Sequence, residues 1–145
     1  VTKDILNFKN TNRVNSEDKV LELNSFDFEL FSETGNTSKK MTTKIIRFNN
    51  FLFVSIPAEV NSRYYVELSN RYPSFSVFPL GLAEDIIGYL PYYTECDEFG
   101  YEVNSSINYN WDSIIDKNSL KKYFDTLIDS IDQTITSKRL KCANI

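Results

Sequence analysis

Two residues stand where their types and spacing could do chemistry, Glu59 and Tyr89. Glu59 follows an apolar run from Phe51 to Ile56 that ends at Pro57-Ala58-Glu59, just where a helical pattern begins. A carboxylate in the first turn of a helix, at the carboxyl edge of a sheet, is well placed as a metal ligand or general base. The plainer reading is that acidic residues favour that turn because they offset the helix dipole. Tyr89 lies 89 − 59 = 30 positions later, after Gly88. As one of nine tyrosines, its plain role is a buried ring with a satisfied hydroxyl. The nearby Tyr92, Tyr93, Phe99 and Tyr101 form either loop packing or the wall of a substrate groove. Cys96 has no histidine to activate it and reads as a packing residue. The chain has no histidine at all, so by itself it builds no Ser-His-Asp triad, Cys-His pair or histidine metal site.

The elements that must position Glu59 and Tyr89 are a strand, a helix and a second strand. Phe51 to Ile56 carries apolar residues on both faces, as a central, covered strand does. Pro57 suits the first position of a helix, and Val60, Tyr64 and Leu68 recur every four residues until Tyr72-Pro73 stops the pattern after Arg71. Ser76 to Ala83 reads as the next strand. The result is one parallel βαβ unit over 51–83, with a right-handed crossover and both strands ending at the same sheet edge. Glu59 and Tyr89 both fall just past those carboxyl ends, where open α/β sheets bind ligands. Convergence of the two is therefore expected.

Upstream, residues 1–18 are polar and aperiodic and read as an arm or linker, leaving 19–145 as a single α/β domain. Alternation from Lys19 to Phe31 predicts one or two half-buried strands, and Ser32 to Met41 reads as a loop. Lys44 to Phe48 and Phe51 to Ile56 form a hairpin closed by Asn49-Asn50, since Asn tolerates the positive φ of a two-residue turn. Downstream, Pro91 to Tyr109 is an aromatic, acidic loop without periodicity, and loops of that size in compact domains are often functional. Leu120, Phe124, Leu127, Ile131 and Ile135 line one face of a helix over about 119–136, capped by Asn118 or Ser119 and ending near Lys138, Arg139 and Lys141. The expected class is α/β: a mixed sheet with an antiparallel N-terminal region, the parallel βαβ unit, and a C-terminal helix packed on the sheet.

At 145 residues the chain is the size of one ordinary domain and can bury a real core. Its net charge of −4 argues against nucleic acid as a partner, because phosphate binding needs a basic surface. Residues 81–102 hold Glu84, Asp85, Glu95, Asp97, Glu98 and Glu102 and no Lys or Arg, which is either a solvated face or a cation site. No apolar stretch is long enough for a transmembrane segment. Cys96 and Cys142 match neither a disulfide framework nor a zinc-knuckle spacing, and they leave the redox compartment open.

The segments SIPAEV and GLAEDIIGYLPYYTECDEFGYEV carry a family resemblance. They resemble the C-terminal part of the catalytic domain of neutral/alkaline (non-lysosomal) ceramidases and their bacterial relatives. In that family a strand ends in Pro-Gly/Ala-Glu, and a later segment reads roughly Gly-Leu-x-Asn-x-x-x-x-Tyr, then Thr-x-Glu-x-Tyr and a Tyr-Glu pair. Here Pro57-Ala58-Glu59 and Gly81 through Tyr89 match, and Glu95 and Tyr101-Glu102 fall in register. The match covers roughly residues 43–105. Departures are Glu84, where the family usually has Asn, and Cys96, where it usually has Tyr.

The resemblance implies that Glu59 and Tyr89 are two ligands of a catalytic Zn2+, with Tyr89 also able to stabilise an oxyanion. Tyr92, Tyr93, Glu95 and Tyr101 would belong to the substrate pocket. The family's histidine ligands, catalytic serine and substrate-orienting arginine lie in a longer N-terminal portion, so this chain would be the C-terminal piece of a larger catalytic domain. That missing portion would be its partner, zinc would bind only in the complete protein, and a ceramide or other lipid N-acyl amide would be the substrate. A secreted or cell-surface location follows from the resemblance alone. The alternative is a stand-alone, non-catalytic binding or structural module of the same fold. A piece of a hydrolase should expose a broad apolar sheet face or edge, whereas a finished module should cover it.

Overall fold

The computed structural model describes residues 20–98 and 100–136. The arm expected at 1–18, Phe99, Cys142 and the basic residues Lys138, Arg139 and Lys141 lie outside the described residues. In chain order the elements are β1 (Leu21–Phe31), β2 (Ser38–Phe48), β3 (Phe51–Ser55), β4 (Glu59–Val60), α1 (Ser62–Arg71), β5 (Ser76–Leu80), β6 (Tyr89–Leu90), α2 (Tyr101–Asn104) and α3 (Lys117–Thr136). Two short 3-10 helices, Tyr93–Glu98 and Ser105–Tyr109, flank α2, so the stretch expected to be a loop winds into short helical turns.

The main sheet has the order β1-β2-β3-β5, antiparallel through β3 and parallel between β3 and β5. This is the expected mixed α/β architecture. β1 and β2 pair along their whole length, from Leu21↔Phe48 to Phe31↔Ser38. β2 therefore starts at Ser38 and not at Lys44, and the expected loop shortens to 32–37. Burial of Met41 and Thr43 inside that extension explains why those residues are held in the ladder. The tight turn after β2 does use Asn49, at φ 55°, as its left-handed residue.

α1 and α3 lie on one face of the sheet. Tyr64 of α1 sits with its ring 6.4 Å from Tyr123 and 5.8 Å from Phe124 of α3. Tyr123 in turn packs its ring 5.5 Å from Phe28 and 5.9 Å from Phe26 of β1. Its fully buried hydroxyl shares a 2.9 Å hydrogen bond with Thr43 of β2, which removes the penalty of burying either group unpaired. α3 starts two residues before the expected 119, because the Asp116 carboxylate accepts the Ser119 N–H at 2.7 Å and acts as the cap. The Ser119 hydroxyl turns instead to the sheet, accepting from the Phe31 N–H at 3.1 Å.

The opposite face of the sheet is apolar at one end and polar at the other. Register places Leu23, Ile46, Phe53 and Phe78 in one row across all four strands. Phe51, Phe53 and Phe78 stack with ring centroids 5.2–6.5 Å apart. Leu21 and Leu23 are 62% and 71% exposed, and Phe51 and Phe78 remain over a third exposed. Among the described residues, no helix covers this row. Helices among the described residues thus cover the sheet on one side only, although parallel strands are ordinarily covered on both.

Substitutions on the two faces should separate cleanly in urea titrations of the 145-residue chain. Leu52→Ala on the fully buried face is expected to cost about 2–5 kcal/mol, the loss of burial plus a cavity. Leu23→Thr on the open face is expected to stay within about 0.5 kcal/mol of wild type.

Candidate functional site

The chain leaves β3 through Ile56 into a three-residue turn around Pro57, closed by the Ala58 N–H donating to the Ile56 carbonyl at 2.9 Å. Glu59 and Val60 then run alongside Tyr89 and Leu90 as a second, two-stranded parallel sheet. The Glu59 N–H donates to the Gly88 carbonyl at 2.9 Å and the Asn61 N–H to the Leu90 carbonyl at 3.2 Å. Glu59 is therefore extended, and the expectation that it occupies the first turn of a helix, with Pro57 at the first helical position, is corrected. Those bonds to residues 88–90 hold 59–61 in an extended backbone, so α1 begins only at Ser62. Asn61 caps it, accepting the Arg63 N–H at 2.7 Å. Val60 lies in β4, and the helix buries Tyr64 and Leu68 as expected.

Pairing in register, Glu59↔Tyr89, puts the two side chains on the same face as direct neighbours. The expected convergence is present. Hydrogen bonds to Tyr101 and then to Glu59 hold the Tyr89 phenol well above its ordinary pKa. Its ring stands edge-on to Tyr101 and to Tyr109, each with centroids 5.7 Å away. At neutral pH Tyr89 is thus a protonated phenol. Glu59 also lines a shallow open groove of about 400 Å3, with Ser62, Tyr65, Pro79 and Leu82 along its wall.

Three features carry Tyr89 into this position. Gly88 has φ +129°, and a Cβ there would come within 3.0 Å of the Tyr109 Cβ. The Ile87 carbonyl accepts from the Trp111 indole N–H and from Lys39 Nζ, both at 3.1 Å. Lys39 also donates to the Tyr109 carbonyl and lies 5.2 Å from the centre of the Trp111 ring. Burial lowers the Lys39 pKa, opposed by the nearby Asp85 carboxylate. Neither Lys39 nor Trp111 is singled out by sequence pattern, because their role is to satisfy backbone carbonyls far away in the chain.

The remaining residues of interest divide into two groups. Tyr101 joins Tyr89, and Glu95 lies beside it through Asn61, whose side-chain N–H2 donates to Glu95 at 2.7 Å and also to Glu102. Tyr92 and Tyr93 pack elsewhere. Tyr92 is buried with its ring 5.3 Å from Tyr64 and 5.2 Å from Phe124, and Tyr93 follows it against Phe124. Cys96 is buried, and burial pushes its thiol up to about 11, as suits a packing residue. Burial raises the Glu95 pKa, with the Glu102 and Glu98 charges adding to it.

Among the described residues, no group of three or more His, Cys, Asp or Glu side chains is placed to hold a metal ion. Glu59 and Tyr89 supply two adjacent oxygen donors, a set that suits a hard or borderline cation once further ligands join it. No helix among the described residues is long and apolar enough to cross a membrane. Comparison with known protein families, with curated proteins and with solved structures returns no match.

Gly88→Ala is expected to strain the backbone by about 1–3 kcal/mol and to break the Glu59–Tyr89 pairing. Loss of slow hydrogen exchange at the Glu59 and Asn61 amides would report it. Glu95 sets a pH dependence of opposite sign to most carboxylates. Because the folded state holds the Glu95 proton more tightly than the unfolded chain, stability falls as pH rises from its ordinary value of 4.5 through the raised one. Glu95→Gln is expected to flatten that decline in melting temperatures measured across the acidic range.

Proposed function

We propose that this chain is the part of a zinc-dependent amide hydrolase, resembling neutral ceramidase, that supplies Glu59 and Tyr89 to the metal and part of the substrate pocket. The observation that carries the reading is the in-register pairing of Glu59 with Tyr89, which makes their side chains neighbours on one face. Zinc bound there would supply Lewis acidity and lower the pKa of a water toward neutrality. The Glu59 carboxylate and the Tyr89 phenol oxygen would hold it, together with histidines contributed by a portion of the protein outside these residues. Tyr89 has to give up its proton to bind, so affinity rises with pH. Tyr101, whose ring packs edge-on against Tyr89, stays beside it as a donor toward a substrate carbonyl. A ceramide or another lipid N-acyl amide is the substrate class.

Two further observations support the reading. Glu84 has φ 74°, in the left-handed region where Asn is much better tolerated, and Asn is the residue usual in the ceramidase pattern at that position. The open apolar row on the sheet is what a catalytic domain would cover with its remaining layers. The alternative, a stand-alone binding or structural module, is favoured by a self-sufficient core. Among the described residues no buried side-chain N or O atom is left without a hydrogen bond.

The test uses the longest polypeptide in which the producing cell contains these residues. Glu59→Gln and Tyr89→Phe are each expected to lower zinc content and to slow amide hydrolysis at least about 100-fold, the upper end of what losing a partner that only orients a metal ligand costs. Zinc affinity of the unaltered protein should rise between pH 6 and 8 in a competition titration. Retention of full zinc content and hydrolysis in both variants rejects the assignment.

A further inference from the structure

Asn61 makes three hydrogen bonds with one side chain. Its carbonyl oxygen accepts the Arg63 N–H and caps α1, while its two amide hydrogens go to Glu95 and Glu102. The orientation of the amide follows from chemistry: turned the other way, its oxygen would face two carboxylates. Asn61 lies two residues after Glu59, and its own N–H continues the ladder to Leu90. Glu102 follows directly on Tyr101, whose ring packs on Tyr89. One amide therefore ties the strand that carries Glu59 to the short helix that carries Tyr101.

We infer that Asn61 is a positioning residue that sets Tyr101 against the Glu59–Tyr89 pair by bridging Glu95 and Glu102. The inference deepens the hydrolase reading, since it concerns the same site, but its geometry exists without metal or substrate. The charged groups around the bridge are Glu95, Glu98 and Glu102 from the 93–104 segment and Arg63 from α1, which is itself paired with Glu67 at 2.7 Å. Among the described residues, only the amide of Asn61 offers hydrogens to the two carboxylates at once. Arg63 reaches Glu95 through charge alone, at longer range. Glu95, a pocket residue by the family resemblance, and Glu102, part of the acidic stretch, act here as acceptors that fasten one segment to another.

The experiment is metal-free NMR of the 145-residue chain, reading the nuclear Overhauser contact between the Tyr89 and Tyr101 rings and amide exchange in α1 from pH 4 to 8. Asn61→Asp keeps the helix cap, because Asp caps as well as Asn, but places a third carboxylate against two. The expected result is loss of the ring contact at pH 7 with α1 still protected, and its return toward the acid end of the range as a carboxyl protonates and donates again. Adding Glu102→Gln to Asn61→Asp restores a donor opposite an acceptor and should bring the contact back at pH 7. Asn61→Ser, which caps without bridging, should lose the contact at every pH. A contact that persists unchanged in Asn61→Asp at pH 7 overturns the inference. If that variant does not fold, Asn61→Ser decides, and a ring contact retained in it is equally fatal. None of these readouts depends on hydrolysis, so the zinc assignment and the bridge can fail separately.

Discussion

The geometry at the carboxyl edge of the sheet depends on a single backbone engagement, the donation of the Glu59 N–H to the Gly88 carbonyl. Once that bond and its neighbour from Asn61 to Leu90 are made, residues 59–61 are extended and α1 has to wait for Ser62. The same bond requires the chain to pass Gly88 at a positive φ, against the face of Tyr109, where any side chain would collide. Around it, Pro57 turns the chain out of β3 and the Ala58 carbonyl accepts the Leu82 N–H at 2.8 Å. A two-residue strand pair would not hold alone in water. It holds here because its flanks are tied on both sides to the larger sheet and its helices.

Polar groups do much of that tying. The carbonyl of Ile87 would be an orphan acceptor in an apolar corner without Lys39 and Trp111, and burying it unpaired would cost about 1–3 kcal/mol. The ammonium of Lys39 accepts partial burial because two carbonyls and the Trp111 ring surround it. Asn61 plays the corresponding part on the other side of the pair. The site is thus held by side chains from β2, from the β4–α1 junction and from the segment before α3, while Glu59 and Tyr89 themselves sit on two very short strands. The support leaves the pair open toward the groove beside Leu82.

The two faces of the main sheet differ in what they ask of the rest of the protein. On the inner face, α1 and α3 bury Leu52, Val54 and Ile45 completely. On the outer face, a stacked row of phenylalanines and leucines meets no helix among the described residues. An apolar row of this kind on a sheet with a parallel pair is the sort of surface that further layers of a domain cover. It agrees with the proposed reading, in which Glu59 and Tyr89 would be joined by metal ligands from elsewhere.

The sequence by itself determined the elements whose periodicity is local. The alternation before Phe31, the apolar run at 51–56, the Asn49-Asn50 turn and the 120–135 stripe all appear in the structure, because burial of one face imposes a repeat of two or near four. It also brought Glu59 and Tyr89 to one sheet edge through the topology of a βαβ unit. What only the tertiary structure decided is how they meet. Pro57 and the 60-64-68 spacing fit a helix from Pro57 onward, yet a hydrogen-bonded partner thirty residues away captured the first turn, and local propensity is weaker than a satisfied backbone ladder. For the same reason β2 reaches back to Ser38, and Lys39, Trp111 and Asn61 become the supports of the site: their partners are backbone and carboxylate groups distant in the chain, and no periodic pattern records them.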